Sequence, residues 1–309
     1  MSESKIKPSS TSSYPITNPP AGYMPVAKVC SFLVNVGSDM CQQWMQQGEP
    51  ASPSFNWKPT DPCPYTSSYK LTDYTFSAPI WSTFTYKGKS YSEPFAFVAT
   101  SSTANYLVFR GSQTTVDFDL DGEDPQVAYQ TSDGPSGMLV EAGFYAAFAG
   151  CSAAVSAALS GLKAPTLPLY ITGHSLGSTL ATLSVPLATA AGLSGMQCNQ
   201  ASPRVGNPAF AGYINGLTTM PTYRLVNTDD LVPKAPPAVV RVDKQTYHYQ
   251  HAGTEVDFTA LYTNKKGKLD EKEEHSPCCS YSYALFNPTL PVNPDITSCV
   301  AKLEPPVSG

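Results

Sequence analysis

Short apolar runs of strand length alternate with longer runs rich in alanine and leucine through the middle of the chain. Apolar runs of about four to eight residues predict buried strands, whereas longer runs of helix-forming residues predict helices. The strands are expected at 95–100, 105–109, 167–172, 196–201 and 223–226, and the helices at 137–161 and 176–191. This alternation predicts an α/β fold with a central, mostly parallel sheet and flanking helices.

Shorter elements are predicted on either side of this core. Residues 24–48 predict a helix, and Asn207 followed by Pro208 predicts the start of another that ends near Gly216, because proline is favoured at the first helical position. Residues 50–94 predict loops with short strands. The rest of the pattern predicts short strands at 239–242, 246–250 and 255–258, a charged loop at 265–274 and a short helix at 278–285.

Composition divides the chain into two regions. Residues 1–20 are rich in Ser, Thr and Pro, which predicts a disordered N-terminal tail. Residues 21–309 are expected to form a single domain, since a chain of this length can bury a sizeable core.

The charge of the chain disfavours one class of partner. Only 14% of residues are charged and the net charge is -5 at pH 7, so nothing favours binding to nucleic acid. No apolar run is judged long enough to span a bilayer, so no transmembrane segment is expected. A neutral substrate, or a transient contact with a lipid interface, suits this composition better.

The compartment stays open at this level. The N-terminal residues 1–7 lack the apolar stretch of a signal peptide, which taken literally indicates a cytoplasmic protein. Eight cysteines together with few charges are typical of an exported protein with paired thiols. No Cys-x-x-Cys pair occurs, so we expect no structural zinc site. No other metal and no cofactor is expected.

The pentapeptide Gly173–Gly177 carries the strongest chemical signal. It fits Gly-x-Ser-x-Gly, in which a serine sits on a strained turn between a strand and a helix with its hydroxyl presented at the top of the sheet. A predicted strand precedes it and a predicted helix follows it, as that turn requires. Ser175 is therefore the candidate nucleophile.

A serine nucleophile needs a base, and the base needs a carboxylate to orient it. Of the four histidines, His174 belongs to the turn itself, which leaves His248, His251 and His275 as candidates. The first carboxylates beyond the predicted strand 196–201 are Asp229 and Asp230, which follow the strand ending at residue 226. Catalytic groups collect at such carboxyl ends of parallel strands.

Four segments in order resemble the successive motifs of the class 3 lipase family, which includes fungal triacylglycerol lipases and feruloyl esterases. They are residues 107–112 (Leu-Val-Phe-Arg-Gly-Ser), 173–177, 201–207 (Ala-Ser-Pro-Arg-Val-Gly-Asn) and 228–233 (Thr-Asp-Asp-Leu-Val-Pro). The resemblance covers roughly residues 90 to 290. It implies an α/β-hydrolase fold and a Ser-His-Asp triad.

The resemblance also implies particular residues. It favours Asp230 over Asp229, because the family aspartate directly precedes a hydrophobic-Val-Pro step, and it favours His275, on the last loop, over His251, which matches a non-catalytic strand motif. The backbone N–H of Leu176, directly after the nucleophile, is expected to form the oxyanion hole. The resemblance places the second donor at Ser112.

The chain departs from the family in two places. Residues 113–135 stand where the family has its lid, but they carry the acidic residues Asp117, Asp119, Asp121, Glu123 and Asp124 around Phe118. The run Asp117–Gly122 also fits the start of a calcium loop, but Ala128 replaces the required glutamate, which favours a solvated loop. The family's His-x-Gly-Phe reads Glu141-Ala-Gly-Phe here.

These observations lead to a serine ester hydrolase, most simply a lipase that hydrolyses acylglycerols through an acyl-enzyme on Ser175. A feruloyl esterase or another esterase for soluble substrates is the first alternative, because an acidic lid does not favour lipid. A catalytically idle hydrolase fold that serves as a binding module is the second alternative.

Overall fold

The computed structural model describes residues 14–17, 19–86, 88–113, 125–162, 167–260 and 271–287. The acidic run 117–124, with Phe118 and most of the calcium-loop pattern, lies outside these residues. So do most of the expected tail and most of the charged loop 265–274.

A nine-stranded sheet forms the centre of the protein, in the order β1-β13-β10-β9-β8-β5-β4-β2, with β3 also paired to β4. Five neighbouring strands are parallel: β5 (Asn105–Phe109), β8 (Leu169–Gly173), β9 (Gly195–Gln200), β10 (Thr222–Asn227) and β13 (Thr254–Thr259). The antiparallel strands lie at the two ends: β1 (Tyr14–Thr17), β2 (Thr75–Phe76), β3 (Ile80–Tyr86) and β4 (Lys89–Thr100). The expected mostly parallel sheet is confirmed.

Helices cover both faces of the sheet. They are α1 (Tyr23–Gln46), α2 (Ala142–Gly161), α3 (Leu176–Ala190), α4 (Pro208–Gly216), α5 (Glu271–Glu274) and α6 (Tyr283–Phe286), with a π-helix at Pro277–Ser282 before α6. Short hairpins pair β6 (Gln126–Ala128) with β7 (Leu139–Glu141) and β11 (Val239–Val242) with β12 (Gln245–His248).

The alternation of side chains along β5 explains this layering. Leu107 and Phe109 point to the core that α2 and α3 share, whereas Tyr106 and Val108 point to the core under α1. Successive strand residues face opposite sides, so a strand buried on both faces reads as a continuous apolar run. That is why residues 105–109 could be identified from the sequence.

Helix α2 is long and apolar enough, by length and composition alone, to cross a membrane, which the expectation of no transmembrane segment had not foreseen. Its buried residues recur every three or four positions, as in Phe144, Ala147, Phe148, Cys151 and Val155, and join the core that it shares with α3. This one-sided burial is typical of a helix that covers a sheet.

Three other parts of the chain differ from the expectation. Residues 14–17, placed in the disordered tail, form the edge strand β1 against β13. Residues 80–86, in a region predicted as loops with short strands, form the seven-residue strand β3, whose bounds the pattern did not give. The predicted helix 137–161 begins only at Ala142, because residues 139–141 pair with β6.

Candidate active site

Ser175 lies between β8 and α3 with a backbone that few residues other than glycine adopt, at φ 55° and ψ −129°. Two close approaches explain the glycines on either side. A Cβ on Gly173 would lie 2.2 Å from the carbonyl oxygen of Gly177, and one on Gly177 would lie 2.3 Å from that of Arg110. The turn therefore closes only with glycine at both positions, which accounts for the Gly-x-Ser-x-Gly pattern.

The structure brings Ser175, His275 and Asp230 into one hydrogen-bonded chain. Nε2 of His275 lies 2.9 Å from Oγ of Ser175, and Nδ1 lies 2.8 Å from Oδ2 of Asp230. Because a carboxylate can only accept, Nδ1 carries the proton and Nε2 is left as the acceptor for the serine hydroxyl. This is the arrangement in which an imidazole can take a proton from a serine.

Asp230 lies three residues after the end of β10 and is 1% exposed. Its Oδ1 accepts a 2.9 Å hydrogen bond from the backbone N–H of Val232, and its Oδ2 accepts a 2.7 Å bond from the hydroxyl of Tyr281. Asp229, the alternative, directs its backbone N–H to Asn227 Oδ1 and is only partly buried. The geometry thus places Asp230, rather than Asp229, against the histidine.

His275 occupies the turn between α5 and the π-helix, where its side chain is 24% exposed. The segment is fixed on both sides of this histidine. Nδ2 of Asn227 donates to the carbonyl of Glu274 at 3.2 Å, and a disulfide joins Cys278 to Cys63. These links attach the turn to β10 and to the loop that precedes the 3₁₀ turn Pro64–Thr66.

The other two candidate bases lie elsewhere. His248 ends β12 in the second hairpin and is exposed. His251 is largely buried, and this burial, together with Arg224 and Arg204, lowers its pKa to about 3. A histidine with so low a pKa stays neutral at neutral pH and is poorly matched to a base that must gain and lose a proton.

Leu176 and Ser112, the expected oxyanion donors, lie on adjacent elements. Leu176 is the first residue of α3, so its N–H has no acceptor within the helix. Ser112 follows β5, and Phe109 in that strand is paired with Gly173 of β8. The close approach of the Arg110 carbonyl to Gly177 brings the Ser112 segment against the turn.

Arg110 holds this segment in place from inside the protein. It is fully buried and ion-paired with Glu93, and its guanidinium lies 4.0 Å above the centre of the Phe95 ring. Its Nη1 donates a 2.9 Å hydrogen bond to the carbonyl of Gly111, next to Ser112. A buried charge that is paired and hydrogen-bonded is costly to disturb, so the backbone before Ser112 is well fixed.

Glu141, the departure from the family's histidine, has a local role in the structure. It is the N-cap of α2, and its Oε2 accepts a 2.6 Å hydrogen bond from the backbone N–H of Phe144. A carboxylate at this position satisfies an otherwise free N–H and suits the positive end of the helix dipole.

Three residues near Ser175, His275 and Asp230 had no role assigned from the sequence: Tyr281, Asn227 and His174. Tyr281 stands six positions after His275, and only the intervening π-helix brings its hydroxyl back to Asp230. Asn227 ends β10 and contacts the His275 segment, as its place at the carboxyl end of a strand could have indicated.

In the described part of the chain, no group of three His, Cys, Asp or Glu residues could hold a metal ion.

Comparison with known families gives one match. The model of the family described as "Lipase (class 3)" matches residues 106–240, a stretch that includes Ser112, Ser175 and Asp230 but not His275.

Two similar proteins share about a third of the aligned residues. A protein named secreted mono- and diacylglycerol lipase 1 from Fusarium solani is 34% identical over 128 residues, which cover 41% of this chain and 36% of the relative. A lipase from Rhizomucor miehei is 34% identical over 157 residues, covering 48% and 40%. The chain thus spans less than half the length of either relative.

Solved structures resemble the fold over a larger part of the chain. The triacylglyceride lipase of Rhizomucor miehei matches with a TM-score of 0.55 and 27% identity, covering 77% of this chain and 81% of that one. The Lip2 lipase of Yarrowia lipolytica matches with a TM-score of 0.57 over 88% and 97%, but at 18% identity it supports the fold alone.

Proposed function

We propose that the chain is a member of the class 3 lipase family, whose model matches residues 106–240, and that it is a serine ester hydrolase that cleaves acylglycerols through an acyl-enzyme on Ser175. The observation that carries the proposal is the continuous hydrogen-bonded chain from Ser175 through His275 to Asp230, with contacts of 2.9 and 2.8 Å. The substrate class comes from the name of the Fusarium solani relative, a mono- and diacylglycerol lipase, and from that of the Rhizomucor miehei structure, a triacylglyceride lipase.

The reaction has two halves. Ser175 Oγ attacks the ester carbonyl while His275 Nε2 takes its proton, and the protonated imidazole then gives that proton to the departing alcohol. Water attacks the acyl-enzyme in the same way, releases the fatty acid and restores Ser175. Asp230 holds the Nδ1–H tautomer and stabilises the imidazolium that forms in each half.

Charge on the attacked carbonyl oxygen needs preorganised donors. The N–H of Leu176 and the donors of Ser112 fill this role in the proposal. Removal of one such donor typically lowers kcat by about 10²–10³-fold. Ser112→Ala should therefore reduce turnover without changing KM greatly.

Access to the nucleophile requires a change in the covering structure, because Ser175 is only 2% exposed. A transient contact with a lipid interface would provide the occasion for such a change, and this contact is part of the proposal. An esterase for soluble substrates is the competing function, and the acidic character of residues 117–124 is the observation that favours it.

Replacement of Ser175 by alanine tests the proposed chemistry. Ser175→Ala should abolish hydrolysis of a nitrophenyl ester and labelling by a fluorophosphonate, while circular dichroism stays unchanged. Ser184→Ala is a matched control, because Ser184 is a buried serine of α3, the helix after Ser175, and its hydroxyl bonds only to the carbonyl of Ala181 among the described contacts. Residual turnover above a few percent in Ser175→Ala would contradict the proposal, and an unlabelled wild-type protein would favour the idle binding module.

A series of esters of increasing acyl length separates lipase from soluble esterase. Each ester is assayed below and above its solubility limit. A rise in rate above that limit for long chains supports acylglycerol hydrolysis at an interface. A preference for dissolved short-chain or aromatic esters would assign the soluble alternative.

We further propose that the protein works in an oxidising compartment outside the cell. The disulfide between Cys63 and Cys278 supports this location, because such bonds persist in secreted proteins and are rare in the cytosol. Mass spectrometry of unreduced peptides from the native source tests it: a free thiol at either position would contradict an extracellular location.

A further inference from the structure

The side chain of His174, in the Gly-x-Ser-x-Gly turn, reaches the backbone of the catalytic His275. Its Nε2 lies 2.7 Å from the carbonyl oxygen of His275. Since a carbonyl oxygen can only accept, Nε2 must carry a proton and donate it. His174 is 4% exposed, so this hydrogen bond is made away from water.

The two rings also contact each other. Their centroids are 4.5 Å apart, and the ring of Tyr281 meets His174 edge-on at 5.5 Å. On another side, a Cβ on Gly111 would lie only 3.0 Å from Nδ1 of His174, so the ring fits because residue 111 has no side chain. His174 is thus enclosed by His275, Tyr281 and the backbone at Gly111, one residue before Ser112.

We propose that His174 is a positioning residue whose Nε2–H holds the backbone of His275, and with it the imidazole, between Ser175 and Asp230. This inference rests on the proposed function, because it concerns the geometry of the same triad. The physical basis of this positioning is the rigidity of the turn Gly173–Gly177. His174 is fixed by a bridge to Gln200 in β9 and by the strained turn at Ser175.

The protonation of His174 suits this role. Burial, and then the neighbouring His275, lower the pKa of His174 well below its ordinary value. The groups that face His174 are the His275 imidazole and the Tyr281 ring, and Asp230 is already engaged with both of these residues. A neutral donor holds the carbonyl without repelling the positive charge that His275 gains during acyl transfer.

The link differs from the others that fix this segment. Asn227 holds the carbonyl of Glu274, one residue earlier, and the disulfide holds Cys278, three residues later. Among the described contacts, only the His174 bond is made to the carbonyl oxygen of His275 itself. Loss of this bond alone should therefore loosen the imidazole while the rest of the segment stays attached.

A matched pair of variants tests the proposal. His174→Gln keeps an N–H donor, whereas His174→Met has a similar length and no donor. Since a displacement of about 1 Å at a catalytic group can cost about 10²-fold, kcat for a soluble ester should fall about 10- to 100-fold in His174→Met. The loss should be less than about fivefold in His174→Gln, with KM nearly constant in both, as expected when only transition-state positioning changes.

A readout independent of activity accompanies the kinetics. The downfield proton signal of His275 Nδ1–H, identified by its absence in His275→Gln, should be sharp in the wild type and in His174→Gln and lost in His174→Met. If His174→Met does not fold, His174→Phe replaces it, since a phenyl ring keeps the ring contacts without a donor.

Retention of the Nδ1–H signal and of kcat within about threefold in the donor-free variant would overturn the inference. Equal losses in the Gln and Met variants would also overturn it, since the donor would then be irrelevant. A wild-type protein that shows the proton signal but hydrolyses no ester would contradict the proposed function. In that case the presence or loss of the signal in His174→Met would still decide whether His174 positions His275.

Discussion

The hydroxyl of Tyr281 donates a 2.7 Å hydrogen bond to Oδ2 of Asp230, the same oxygen that faces Nδ1 of His275 at 2.8 Å. Oδ2 of Asp230 therefore accepts hydrogen bonds from two donors, while Oδ1 accepts one from the backbone N–H of Val232. The hydroxyl of Tyr281 also accepts a 3.2 Å hydrogen bond from the backbone N–H of Asn227. This fully buried tyrosine connects the end of β10 to the carboxylate that follows it.

Tyr281→Phe should lower both stability and turnover. The substitution leaves the buried N–H of Asn227 without its acceptor and removes one donor to Asp230, so we expect a loss of about 1–3 kcal/mol in unfolding free energy. Loosening of Asp230 should reduce kcat by about tenfold while KM changes little. Urea unfolding and ester kinetics measure the two effects. Unchanged kcat with lowered stability would make Tyr281 purely structural.

Asp230→Asn should nearly abolish turnover. An amide at this position favours the wrong tautomer of His275, so kcat should fall by about 10³–10⁴-fold while the fold is kept. Asp229→Asn is the matched control, because Asp229 precedes it directly and, among the described contacts, its carboxylate makes none with His275, so activity should stay within a few-fold. Steady-state kinetics on one soluble ester compare them. A larger loss in Asp229→Asn would reverse the assignment of the two aspartates.

Stability should fall as the pH is lowered below about 6.5. His251 has a pKa of about 3 in the folded protein, whereas the unfolded chain binds its proton near pH 6.5. Above pH 6.5 the histidine is neutral in both states, and the folded protein keeps its full stability. As the pH falls from 6.5 towards 3, the unfolded chain binds the proton and the folded protein does not, so the free energy of unfolding decreases. The buried His174 acts in the same direction.

The expected slope is at most about 1.4 kcal/mol per pH unit for each such histidine. Urea unfolding between pH 7 and 4.5 measures it, and His251→Gln should give a flatter dependence. The same variant should keep ester hydrolysis, since His251 lies outside the triad. A steeper profile in the variant would contradict the sign of this argument, and loss of hydrolysis in a folded variant would revive His251 as the base.

Removal of the Cys63–Cys278 disulfide should affect stability and catalysis together. The bond closes a very long loop, with a sequence separation of 215, so the Cys63→Ser/Cys278→Ser double variant should lose about 3–5 kcal/mol. It should also lose kcat, because Cys278 lies three residues from His275. Cys151→Ser, a buried cysteine of α2 outside the site, is the control. Full kcat in a folded double variant would show that the disulfide does not position the histidine.

Much of the fold could be predicted because the central strands and helices carry local signals. The continuous apolar run of β5 and the Asn207–Pro208 start of α4 both depend on neighbouring residues. The Gly-x-Ser-x-Gly turn has a local sequence pattern as well, although only Gly173 is required by a contact within the turn and Gly177 is required by the distant Arg110 carbonyl. For Asp230 and His275 the pattern alone left alternatives, and the resemblance chose between them. The structure places that pair against Ser175.

The rest could not be predicted because it depends on contacts between distant residues. Strand β3 lacks a strong apolar run, and its pairing with β4 decides its conformation. The link between Cys63 and Cys278 cannot be deduced from spacing. Tyr281 approaches Asp230 only because a π-helix adds residues between it and His275. The pattern around Glu141 does not show why it replaces the family's histidine, whereas the structure shows that it caps α2 through the N–H of Phe144.

The strand at residues 14–17 has a consequence for how the protein behaves at high concentration. It covers the outer side of β13, a six-residue strand, with Tyr14 paired to Thr259 and Thr17 to Asp257. A chain without these four residues would expose a row of free backbone donors and acceptors, which readily extend a sheet from one molecule to the next. This strand therefore replaces the six-residue edge of β13 with an edge of four residues, which leaves fewer free backbone groups for pairing with another molecule.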